Sequence, residues 1–219
     1  MDVASARDTV YAALRSRLLE GSYSVDDSLI PQALSEEFQV SRTPVREALG
    51  LLEQDGLLVS TSRGFVIRQR SDEEMLEIFE VRGILESSAA HVAATRRSPI
   101  DVARLQEVAD RARQEQDPVA KRRLFNLFHD CIRDAAHNAT ISTLVNTLSA
   151  QIKLAAPWST DESDEGLRRS LEEHDAVLEA IVAGDAELAR TRMLEHLAHD
   201  RDNRINQLVA KVHERPGLA

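Results

Sequence analysis

Apolar residues recur every four positions at Val10, Leu14 and Leu18, and this stripe predicts a first helix ending near Gly21. Leu34 and Phe38 stripe a short second helix after Pro31. Past the turn Gln39-Val40-Ser41, Val45, Ala48, Leu49 and Leu52 share one face of a third helix, which Asp55-Gly56 stops. The period then changes. Leu57, Val59, Phe65 and Ile67 flank the tight-turn residues Ser62-Arg63-Gly64, the pattern of a two-stranded hairpin. Three helices and a hairpin predict a winged helix-turn-helix over residues 1–70.

After Arg70 no strand signal recurs. Helical stripes run over 72–96, 100–115, 118–136, 139–155, 164–183 and 185–212. Their breaks are Ser98-Pro99, Asp117-Pro118, His137-Asn138, the loop around Pro157-Trp158, and Gly184-Asp185, with a fraying tail from Glu214. Six helices with short connections predict an all-α antiparallel bundle over residues 71–219. The expected fold class is mainly α, an N-terminal winged helix-turn-helix with a small β-hairpin wing followed by that bundle.

Composition supports this division. Hydrophobic residues make up 42% of the 219, enough for a core, while 4% aromatics and eight glycines favour helices over a sandwich or barrel. No stretch is long and apolar enough for a membrane span, and the start lacks a signal-peptide pattern. The single cysteine, Cys131, forms no internal disulfide and is expected buried and inert, so a cytoplasmic setting is expected.

A net charge of −10 argues at first against nucleic acid. The charge is unevenly spread, however. Residues 1–70 carry 8 basic and 10 acidic groups, whereas residues 41–70 alone carry 5 basic and 3 acidic. The local field decides, and it is positive where it matters.

That basic stretch holds Ser41-Arg42-Thr43-Pro44-Val45-Arg46-Glu47-Ala48-Leu49. Ser41 supplies a capping hydroxyl, Pro44 sits in the first turn, and Arg42 and Arg46 lie one turn apart opposite the apolar face. Arginine's planar fork grips guanine or phosphate, so Arg42 and Arg46 are the candidates for DNA contacts. Ser41 and Thr43 suit phosphates at the helix start, and Arg63 and Gly64 at the wing tip suit the sugar-phosphate chain. Two arginines at this spacing are by themselves more often a solvated face. The short preceding helix, the apolar back and the wing tip the reading towards DNA.

In the bundle, three of seven histidines fall on apolar stripes: His129 with Phe125 and Ile132, His174 with Val177, Leu178 and Ile181, His196 with Met193 and Leu197. Imidazoles turned inward from three helices can converge on one cation. A lone histidine on such a stripe is more often a hydrogen-bonded core residue. His91, His137, His199 and His213 lie in polar settings and read as surface residues.

Residues 10–68 resemble the DNA-binding domain of the GntR superfamily of bacterial transcription regulators. The resemblance is carried by Leu34-Ser35-Glu36-Glu37-Phe38, Val40 through Leu49, Leu52, Gly56-Leu57 and Arg63-Gly64-Phe65-Val66. It implies operator contacts at Arg42, Arg46 and the wing glycine, Gly64; Gln32 stands where some relatives place an arginine. Residues 71–212 resemble the all-helical effector domain of the FadR branch, the FCD type. Here the matching residues are Val81-Arg82, Leu85-Glu86, Phe128-His129, Asn138, Glu173 through Ile181, Gly184-Asp185 and Met193 through Leu197.

This second resemblance implies a metal at His129, His174 and His196. Metal-binding relatives carry an aspartate four residues before the first histidine, where this chain has Phe125, and Asn126 is the neighbouring candidate for a neutral oxygen ligand. Such a donor set suits zinc, nickel or manganese with positions left open. Those positions would accept a small carboxylate, with Arg82 gripping its other end; Arg82 can equally pair with Glu86 at i,i+4. The expected protein is a ligand-responsive homodimeric regulator that binds double-stranded operator DNA, a repressor rather than an enzyme. Two alternatives stand beside it: the same regulator with a metal-free effector pocket, and a metal-dependent hydrolase. For the hydrolase the chain lacks a His-Glu-x-x-His arrangement to supply a general base.

Overall fold

The computed structural model describes residues 5–155 and 164–213, the side chains of residues 204 and 207–213 excepted. The Pro157-Trp158 loop, the tail from Glu214 and the His213 side chain lie outside this description. The chain divides into two compact units, Met1–Ser71 with Thr147–Pro157, and Asp72–Asn146 with Trp158–Ala219.

The first unit opens with α1 (Ala6–Leu19), whose N-cap Ser5 accepts a hydrogen bond from the Asp8 N–H. Val10, Leu14 and Leu18 form its buried face. Then come α2 (Pro31–Glu37) and α3 (Arg42–Gln54). Gly56, at φ +69°, takes the left-handed turn that ends α3. Val45, Ala48, Leu49 and Leu52 are all completely buried, so one face of α3 is spent on the core. Truncating Leu49 or Leu52 to alanine removes packing worth ~2–5 kcal/mol.

The hairpin pairs β1 (Leu58–Thr61) with β2 (Gly64–Ile67) antiparallel, in the register Leu58↔Ile67 to Thr61↔Gly64. A third stretch of the same chain, which the sequence pattern did not predict, joins its edge. Leu29 exchanges two backbone hydrogen bonds with Phe65, at 2.7 and 3.0 Å. Gly64 sits at φ +138°, and a Cβ there would stand 2.6 Å from the Leu29 carbonyl oxygen. The loop before α2 is what demands glycine at this position.

The second unit holds α4 (Asp72–Arg96), α5 (Pro99–Gln114), α6 (Pro118–Ala135), the first part of α7 (Ala139–Ala155), α8 (Asp164–Ala183) and α9 (Ala186–His213). Helix starts are set by short polar caps. Ser98 and Asp101 form a reciprocal capping box before α5, and Asp117 accepts from the Ala120 N–H before α6. Ala89, Ala90, Ala93 and Ala94 keep α4 slim, so that it packs closely with α6, α8 and α9 around Phe128, Ile132, Ile181 and Met193. The remaining half of α7 counts with the first unit, where Ala150 is buried in the winged-helix core.

Candidate nucleic-acid interface and metal centre

The solvent side of α3 presents Ser41, Arg42, Thr43 and Arg46, all exposed, with Pro44 half-buried beside them. Neither Arg42 nor Arg46 pairs with a carboxylate among the described residues, so both guanidiniums remain available to an external anion. Ser41 is the N-cap, with extended backbone at φ −67° and ψ 165°, but its hydroxyl makes no capping hydrogen bond. Pro44 explains this correction. It occupies the third helical position, where a capping hydroxyl would find its N–H donor, and proline has none. Arg63 is exposed at the hairpin turn, its N–H donating to Thr61 Oγ1 at 3.2 Å. The amide of Gln32 pairs with the Glu36 carboxylate, one turn along α2.

The histidines lie within the second unit. His129 on α6, His174 on α8 and His196 on α9 are 6%, 3% and 4% exposed. Ligating nitrogens of all three lie within 4.8 Å of one another. The Nε2 of His129 is 3.2 Å from the Nε2 of His196 and 3.2 Å from that of His174.

Carboxylates hold the outer nitrogens. Glu86 on α4 meets His129 Nδ1 at 2.7 Å, and Glu173 on α8 meets His196 Nδ1 at 2.7 Å. Glu173 also meets His199 Nδ1 at 2.5 Å, which ties that exposed ring to the same group. A neutral imidazole that donates Nδ1–H to a carboxylate carries a bare lone pair on Nε2. Two such lone pairs at 3.2 Å repel unless a proton or a metal cation lies between them. This is the carboxylate–histidine arrangement that orients metal ligands. His174 differs, because among the described residues its buried Nδ1 has no hydrogen-bond partner, and the rings of Phe125 and Phe128 flank it at 4.8 and 5.0 Å.

Burial lowers the pKa of His129, with Glu86 pulling the other way. Burial, then crowding by His196 and His129, puts His174 well below the ordinary imidazole range. Near neutrality both rings are uncharged, the form that ligates a metal. Burial alone would raise the Glu86 carboxyl, yet Arg82, His129 and Arg133 around it hold it well below the usual carboxylate range.

Arg82 Nε bonds Glu86 Oε1 at 2.7 Å and its Nη1 reaches Asp200 Oδ2 at 3.4 Å, so the i,i+4 pair is formed. Arg133 adds a second guanidinium 3.6 Å from Glu86. The expectation for Asn126 needs correction. It is exposed, whereas Phe125 takes the buried position against His174. An amide turned inward beside those rings would cost more than it returned, and the phenyl ring fits instead. Glu86 and Glu173 escaped the sequence reading as supports of the cluster. The usable signal was Glu173 next to His174 in sequence, although adjacent residues on a helix point about 100° apart and Glu173 serves His196 instead. Cys131 is 5% exposed, and burial raises its thiol pKa. Among the described residues no helix is long and apolar enough to cross a membrane.

Both parts of the chain resemble known proteins. Residues 6–67 match the bacterial regulatory proteins of the gntR family, and residues 77–199 match the FCD domain. The HTH-type transcriptional regulator LutR of Bacillus subtilis is 30% identical over 194 residues, 78% of this chain and 88% of that one. The Exu regulon transcriptional regulator of Escherichia coli K12 is 27% identical over 210 residues, covering 87% and 81%. The solved structure of E. coli McbR/YncC superposes with a TM-score of 0.77 at 25% identity, covering 94% of this chain and 100% of the other. With winged helix and helical domain matched in one polypeptide, this chain belongs to the GntR family of FCD-type bacterial regulators, ligand-responsive proteins that bind DNA to control transcription.

Proposed function

We propose that this regulator is a cytoplasmic homodimeric repressor whose hold on its operator is released by a small carboxylate bound beside a divalent metal. In this reading residues 1–70 read DNA, and residues 71–219 bind the effector and dimerise. Arg42 and Arg46 contact base edges and phosphates, Ser41 and Thr43 meet phosphates around Pro44, and Arg63 and Gly64 lie along the backbone at the wing. His129, His174 and His196 hold the metal, zinc, nickel or manganese. The observation that carries the reading is the convergence of three uncharged or carboxylate-anchored imidazoles, with two Nε2–Nε2 separations of 3.2 Å.

A metal held there supplies a Lewis-acid position for a carboxylate oxygen. The protein's own share is electrostatic. Glu86 and Glu173 keep two rings in the ligating tautomer, while Arg82 and Arg133 balance the charge of Glu86. Effector binding weakens operator affinity by the coupling energy between the sites, ~1–3 kcal/mol, provided the effector favours the non-binding placement of the DNA heads. No general base stands beside the triad in a His-Glu-x-x-His arrangement, and regulation rather than turnover is the role proposed.

Elemental analysis of the purified chain tests this. About one divalent ion per chain is expected, falling to background in His129→Ala and His174→Ala. Small carboxylates should weaken operator binding by the metal-loaded protein only. Equal metal content in wild type and variants would overturn the assignment.

A further inference from the structure

Helix α3 is held at its far end by residues distant in sequence. Gln151 Nε2 donates to the Asp55 carbonyl at 2.7 Å, and Arg70 Nη2 donates to the Gly56 carbonyl at 2.7 Å. The Tyr11 hydroxyl donates to the Asp55 carboxylate at 2.5 Å. The fit is close, since a Cβ on Gly56 would stand 2.8 Å from Arg70 Nη2 and 2.9 Å from Gln151 Nε2. Gln151 lies in the part of α7 that belongs to the first unit, next to Ala150, which is buried in that unit's core, with Leu154 packed against it.

We propose that Gln151 is a positioning residue for operator reading, fixing the direction in which α3 presents Arg42 and Arg46. The last carbonyls of a helix have no partner within it, and a side-chain donor placed on one of them anchors that end. From Asp55 to Arg42 the helix runs roughly 20 Å at 1.5 Å per residue, so a tilt of about 10° at the anchored end moves the arginine by roughly 3 Å. That displacement equals a hydrogen-bond length and breaks a base contact without breaking the fold. The buried face of α3 fixes its depth in the core; the anchor fixes its aim. Gln151 lies within helix α7, so this aim is set by a helix rather than by a loop.

The full-length chain and the duplex it selects from a randomised library provide the test. Gln151→Met is neutral and of similar length but has no donor; Gln151→Lys keeps a donor. Affinity for the selected duplex relative to a scrambled one is read by fluorescence anisotropy, alongside melting temperature. Gln151→Met should lower this ratio about tenfold, the scale of one mismatched base pair, with scrambled-duplex affinity and melting temperature unchanged. Gln151→Lys should restore it. An unchanged ratio in Gln151→Met, a fall that tracks a lowered melting temperature, or an equal loss in Gln151→Lys would each overturn the proposal. Arg42→Ala separates the two ideas involved. If it loses the preference while Gln151→Met keeps it, the positioning role fails and α3 remains the reader; if both keep it, α3 is not the reader.

Discussion

The arginines of α3 and the histidines of the bundle are both polar groups set for a charged partner, but one set stands in water and the other at 3–6% exposure. On α3 the polar side chains need no internal support, so nine consecutive residues lay out the surface. The histidine cluster needs Glu86, Glu173, Arg82 and Arg133 to offset burial, and these come from α4, α6 and α8. An exposed site can therefore lose a residue and stay folded, whereas a buried one is inseparable from the stability of its unit.

The widest separation between the two regions should come from Glu86→Ala. It takes from the half-buried Arg82 and the buried Arg133 the carboxylate they share, leaving them only Asp200 and Asp130, and a loss of ~3–5 kcal/mol is expected in urea unfolding. A loss below about 1 kcal/mol would mean the cluster is far more hydrated than its burial indicates. Zinc comes next. At 100 to 1,000 times its Kd it should add ~2.7–4.1 kcal/mol to stability, seen as a raised melting temperature that disappears in His196→Ala. A shift that survives in that variant would place the metal elsewhere.

Arg42→Ala should do the opposite of Glu86→Ala, costing ~1–3 kcal/mol in operator affinity and nothing in melting temperature. A stability loss comparable to the binding loss would erase the contrast. The smallest effect should be at Ser41. Replacing a working N-cap with alanine costs ~0.5–2 kcal/mol, but this hydroxyl caps nothing, so Ser41→Ala should change unfolding by less than about 0.5 kcal/mol. A larger change would show that the hydroxyl finds a backbone donor in spite of Pro44.

Legibility followed the same divide. Helix and strand positions were readable because each depends on local spacing: the stripe 72–96 matches α4 to the residue, and Leu58 through Ile67 fold as the hairpin. The three histidines were readable too, since an imidazole in place of an aliphatic residue breaks an apolar stripe. What pairs with them was not. Glu86 read as one end of an i,i+4 pair with Arg82, and only the packing of α4 on α6 brings its second oxygen to His129. The same holds for Leu29 at the hairpin edge and for Gln151 at the end of α3, which join residues 36 and 96 positions apart. The Ser41 cap failed for a local reason that was visible, because Pro44 in the first turn of the helix lacks the third-position N–H that a serine cap commonly uses.

The membership of α7 in the winged-helix core bears on how this protein is made. Ser71 leaves the ribosome with three helices and a hairpin already synthesised, but Ala150 and Leu154, which complete their packing, follow roughly 80 residues later, some 4–16 s at ordinary elongation rates. During that interval the DNA-binding head has every residue that touches the groove and lacks part of its own interior. A nascent chain is thus ill-placed to seize the operator before its sensor exists, and the order of synthesis itself delays regulation until both halves are present.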